Sequence, residues 1–69
     1  ISERQRAVRE AISELKEEYR TVITLCDIEG LSYDYIAEVL GIPSGTVKSR
    51  INRARSALKK NLMNKRELF

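Results

Sequence analysis

Sixty-nine residues, with thirteen Lys and Arg against ten Asp and Glu, give a net charge of +3 and room for one small domain. A chain of this length buries only about 60% of its unfolded surface, so its core is thin. No apolar run approaches the roughly eighteen residues of a membrane span, no signal-peptide pattern opens the chain, and the lone Cys26, with no His anywhere, excludes an internal disulfide and a zinc site.

The first predicted helix runs from about Glu3 to Glu14. Ser2 stands at its N-cap with Gln5 three residues on, the pattern of a capping box. Val8, Ile12 and Leu15 form its apolar stripe. A second helix covers roughly Glu17 to Ile28 and ends at Gly30, with Glu17 and Glu18 favourably near its positive end. Leu15 and Lys16 either break these two helices or let them run together. Cys26 extends the stripe Leu15, Tyr19, Val22, which predicts a buried, inert thiol rather than a redox sensor and points to a reducing, cytoplasmic setting.

Ser32 is the expected N-cap of a third helix over Tyr33 to Leu40, in which Tyr33, Ile36, Ala37 and Leu40 share one face. Gly41 occupies the place of a left-handed C′ residue, and Ile42, Pro43 and Ser44 make the turn and restart. The fourth helix is predicted from about Ser44 to Asn61, with continuation towards Leu68 and Phe69 left open. Val47, Ile51, Ala54, Leu58 and Leu62 form its apolar stripe, and Lys48, Ser49, Asn52, Arg53 and Ser56 lie on the opposite face. Four short amphipathic helices share one core only by crossing steeply. The predicted fold is all-α, a single domain over 1–69, with a helix-turn-helix at 32–60.

Charge is unevenly spread. Residues 1 to 41 hold five basic and nine acidic side chains, whereas residues 42 to 69 hold eight basic ones and only Glu67. That places a positive field at one end of the domain and predicts a polyanionic partner. A helix entering the major groove must bury one stripe and offer short polar or long basic groups on the other. Arg and Lys reach guanine acceptors and Asn pairs with adenine, so Lys48, Asn52 and Arg53 are candidate base readers, and Ser49 is short enough to let the helix come close. Ser44 and Thr46, near the helix start, suit phosphate contacts alongside free backbone N–H groups. Gly45 either admits a phosphate or the preceding helix, or is tolerated at a frayed end. Arg50 and Arg55 lie on the flanks, where phosphate contact or intramolecular pairing is expected. Lys59 and Lys60 add nonspecific attraction.

The string GLSYDYIAEVLGIPSGTVKSRINRAR closely resembles the fourth, promoter-recognising domain (region 4) of the extracytoplasmic-function group of bacterial sigma factors, in the sigma-70 family. The upstream EEYRTVITL resembles the second-helix segment of the same family, with Leu15-Lys16 where a Leu-Pro pair usually stands. The resemblance implies a winged-helix-like fold without a wing, which binds double-stranded DNA at the minus-thirty-five promoter element and docks on the β-subunit flap of the RNA polymerase core. It also implies an anti-sigma protein as a further partner, and no cofactor. Family base-reading positions match Lys48, Ser49, Asn52 and Arg53; backbone-contacting ones match Arg20, Tyr33, Pro43 and Thr46. The position of Asn52 varies within the family, so the preferred promoter bases do not carry over. The family's other main domain is absent from these residues, so the chain looks like an excised domain.

Two alternatives remain from the residues. A response-regulator output domain also carries Thr-Val-Lys, but typically with a His two residues after the Lys, where this chain has Arg50. A protein-interaction module without DNA binding would use Leu62, Met63, Leu68 and Phe69 as an exposed apolar cluster. With no His, no paired metal ligands and no phosphate loop, catalysis is not expected.

Overall fold

The computed structural model describes residues 1–65, among which there are four helices and no strand: α1 Glu3–Ser13, α2 Glu17–Ile23 continuing into a π-helical segment Thr24–Ile28, α3 Tyr33–Leu40 and α4 Ser44–Asn64. The expected positions of Leu68 and Phe69 lie outside the described residues. No helix among the described residues is long and apolar enough to cross a membrane.

Each helix start follows from a cap or a fixed dihedral. Ser2 accepts from the Gln5 N–H at 3.2 Å while its own N–H donates to Gln5 Oε1 at 2.9 Å, completing the capping box. Ser32 caps α3 through the Tyr35 N–H at 3.1 Å, and Gly41 ends that helix at φ +68°. Pro43, extended at ψ 147°, starts α4 through its carbonyl, which accepts from the Thr46 and Val47 N–H groups.

The open question between the first two helices resolves as a break. α1 stops at Ser13 with Glu14 as its C-cap, one residue short of the predicted end, and Lys16 adopts ψ 149° before α2 begins. The C-terminal carbonyls of α1 would otherwise be orphaned. Glu10 O accepts from the Glu14 N–H, Ile12 O from the Leu15 N–H, Ser13 O and Leu15 O from Arg20 Nη1, and Ala11 O from Asn61 Nδ2 at 3.1 Å. Side chains of α2 and α4 thus finish α1. The second predicted helix also differs from expectation: its last turn widens, the Glu29 N–H reaching Thr24 O five residues back at 2.9 Å, before Gly30 closes it at φ +75°.

Leu15, Val22, Ile23, Ile36, Ala37, Val47, Ile51 and Ala54 form one buried cluster, with Tyr19, Leu40 and Leu58 half-buried around it. The predicted α4 stripe is therefore inward, Val47, Ile51 and Ala54 completely so. Two expectations are corrected. α1 buries Ala7 and Ala11, not Val8 and Ile12, which are half-buried; small residues let it lie close to α4. Cys26 is half-buried rather than buried, because the widened turn rotates it towards the surface beside Arg55. No polar or charged side chain is buried among the described residues.

Candidate nucleic-acid interface

With Val47, Ile51 and Ala54 locked into the core, helical geometry forces Lys48, Asn52 and Arg53 outward. All three are exposed. None has an intramolecular hydrogen bond or ion pair among the described residues, so their full donor capacity is available to a ligand. Ser49 differs. Half-buried, its hydroxyl lies 3.1 Å from Gly45 O and 3.3 Å from Thr46 O; it bonds back to its own helix and presents lone pairs outward.

At the start of α4, no side chain caps the helix, so exposed Ser44 and half-buried Thr46 stand beside backbone N–H groups that can take an anion. A Cβ built on Gly45 would meet nothing within 4 Å. The preceding helix is not what requires glycine there. Arg50 is half-buried on the flank, without a partner among the described residues, in a groove shared with Lys16, Glu17, Thr21 and Ile42. Tyr33, the first residue of α3, is half-buried against the core, and Pro43 is exposed. Arg20 is exposed, yet its Nη1 is engaged by Ser13 O and Leu15 O, leaving the rest of the fork outward. Residues 43 to 53 thus lie together on the turn and first half of α4, whereas the hydrogen bonds of Arg20 are with the end of α1.

Of the two expectations for Arg55, the structure shows intramolecular pairing, with a partner the sequence did not name, and it ties α4 to the π-helical segment. Arg55 donates through Nη2 to Asp27 Oδ1 at 2.7 Å and through Nε to Oδ2 at 3.2 Å, a bidentate fork. The Arg55 guanidinium holds the Asp27 carboxyl below its ordinary range, and Asp27 in turn raises Arg55. Arg55 Nη2 also approaches Cys26 Sγ at 3.8 Å. Partial burial, reinforced by the Asp27 carboxylate, pushes the Cys26 thiol up and keeps it protonated. Asp27 and Arg55 lie 28 residues apart, so no helical spacing rule links them; the only local signal is the flanking position of Arg55 on the helix. Lys65 similarly bridges Glu14 at 3.1 Å and Glu10 at 3.6 Å, fastening the end of α4 to α1.

Val8, Ile12 and Ile28 line a shallow groove between α1 and the π-helical segment, with Arg4 and Arg9 beside them. Ile28 is 62% exposed, so among the described residues nothing covers this apolar side of the groove.

Residues 5–58 match the family model described as Sigma-70, region 4. The chain is similar to the ECF RNA polymerase sigma-E factor of Haemophilus influenzae, at 48% identity over 88% of this chain and 32% of that protein. It is also similar to the RNA polymerase sigma-H factor of Pseudomonas aeruginosa, at 53% identity over 80% of the chain and 28% of that protein. The ECF RNA polymerase sigma factor SigW of Bacillus subtilis is 51% identical over 80% of the chain and 29% of its own length. The chain therefore spans about a third of the length of the curated relatives it matches.

Proposed function

The chain belongs to the sigma-70 region 4 family, and from that premise we propose that it serves an extracytoplasmic-function sigma factor in transcription initiation by holding the minus-thirty-five promoter element in the major groove. One observation carries this reading: Lys48, Asn52 and Arg53 stand exposed on one face of α4 with no intramolecular partner among the described residues. Burying none of that donor capacity inside the domain has little stabilising purpose; offering it to base edges does. Lys48, Ser49, Asn52 and Arg53 read bases. Arg20, Tyr33, Pro43, Ser44, Thr46 and Arg50 hold the backbone around them. The residues act by binding and orientation, and the domain itself performs no catalysis.

No residue of α4 is among those that line the groove of Val8, Ile12 and Ile28. It supports docking on the β-subunit flap of the polymerase core with the basic face left open to DNA. An anti-sigma protein acts by covering either surface. Such a role places the domain, 1–69 as one unit with its helix-turn-helix at 32–60, in the cytoplasm of a bacterium.

The test is selection of bound duplexes from a random pool, followed by a salt titration on the enriched sequence. Enrichment of one element, with affinity falling steeply as salt rises, is the expected result. Binding that neither enriches a sequence nor responds to salt would remove the reading and leave a protein-interaction module.

A further inference from the structure

Lys48, Asn52, Arg55 and Lys59 follow one another at steps of four, three and four residues, so they form one row along α4. Three of the four have no intramolecular partner among the described residues. Arg55 alone is committed, through both arms of its fork, to Asp27. Its position in the row is that of a phosphate contact; its partner makes it something else. The pair is not a buried structural bridge either, since the two side chains remain 47% and 37% exposed, and ion pairs this open stabilise a fold little.

We propose that Asp27 is a specificity-determining residue which withholds Arg55 from the DNA backbone. Phosphate contacts add affinity for every sequence alike, whereas base contacts favour one. A basic helix that spent Arg55 on phosphate would bind random DNA more tightly and lose part of its preference for its own element. Asp27 supplies a competing carboxylate inside the domain. It matches the planar fork bidentately, as a phosphate would, and it is always present. The widened π-helical turn, with Asp27 within it, is what brings this carboxylate to α4.

The inference rests on DNA being the ligand of α4, and the experiment separates the two. Affinity of the chain for a random-sequence duplex and for the selected duplex is measured across a salt series for wild type, Asp27→Asn, Arg55→Ala and the double variant. Circular dichroism melts confirm that each is folded. Asp27→Asn is expected to steepen the log–log salt slope on random DNA by about 0.9, which is a roughly 3.5-fold larger loss of affinity between about 50 and about 200 mM salt. Its preference for the selected duplex should fall. Arg55→Ala should leave the slope at the wild-type value, and the double variant should match Arg55→Ala.

The design separates withholding from its competitors. A merely structural bridge is broken equally by either single substitution, so matching behaviour of Asp27→Asn and Arg55→Ala overturns the proposal. Loss of a negative charge acting only through the general field would survive in the double variant, and a steeper slope there overturns it too. A shallower slope for Arg55→Ala alone would mean that Arg55 already touches phosphate. Should Asp27→Asn not fold, Arg55→Lys carries the test: it keeps every charge but loses the fork, and a slope no steeper than wild type counts against withholding. A wild-type chain that shows no salt-dependent binding defeats the DNA reading itself, and with it this inference.

Discussion

Arg53 and Arg55 stand two residues apart on one helix, and their surroundings separate them: Arg53 is exposed and has no partner among the described residues, whereas Arg55 is held by Asp27 at 2.7 Å. Replacing Arg53 with Ala is expected to cost about 1–3 kcal/mol on the preferred duplex and much less on random DNA, the loss that goes with the base contact proposed for it. Fluorescence anisotropy with both duplexes checks it, and equal losses would make Arg53 a phosphate contact. Lys60 lies nearly two turns further along α4, and its replacement should weaken both duplexes alike, lowering the salt slope by at most about one. Cys26 offers a test of a different kind. With its thiol pushed up by partial burial and the Asp27 carboxylate, the thiolate is scarcer than for an ordinary Cys near neutral pH. Alkylation by iodoacetamide should run slower than for an unstructured peptide thiol and rise only at higher pH; faster alkylation would contradict this environment.

At the scale of elements, α4 is fixed by what it buries. Ile51 is completely inaccessible at the centre of the core cluster, and truncation to Ala is expected to cost about 2–5 kcal/mol in chemical denaturation. For a thin core this is a large part of the total, since small domains are stable by only about 5–15 kcal/mol. The turn before α4 depends on backbone rather than packing. Gly41 sits at φ +68° with nothing within 4 Å of a built Cβ. Gly41→Ala should therefore lose roughly 1–2 kcal/mol from left-handed strain alone, and a melt unchanged from wild type would show that the turn relaxes freely. α1 depends on its neighbours. Ala11 O accepts from the Asn61 amide, so Asn61→Ala removes a partner from a half-buried carbonyl and should cost on the order of 1 kcal/mol.

At the scale of the whole molecule, ion pairs fasten the helices to one another. The Arg55–Asp27 pair joins α4 to the π-helical segment, and the folded-state Asp27 carboxyl lies below its ordinary value of 3.8. Its contribution is therefore present above that value and is lost as pH falls through the lowered folded one. The pair is well exposed, so solvent screening keeps the effect below about 1 kcal/mol. Stability of wild type should exceed that of Arg55→Ala near neutral pH, and the gap should close as the solution is acidified; a gap that widens in acid would contradict the pairing. The helices themselves, the cap at Ser2, the left-handed Gly41 and the inward stripe of α4 were all legible in the sequence, because capping and the helical period act between residues three or four positions apart. The outward face of Lys48, Asn52 and Arg53 was legible for the same reason: once Val47 and Ile51 are buried, their neighbours have nowhere else to point. The rest needed the tertiary structure. Which face of α1 turns inward was decided by the space beside α4, where Ala7 and Ala11 fit and Val8 and Ile12 stay at the rim. The capture of Arg55 by Asp27 is a contact across 28 residues of chain, made from a widened turn at Thr24 that leaves Cys26 half-buried. No local periodicity encodes such a contact; it exists only once two helices have packed.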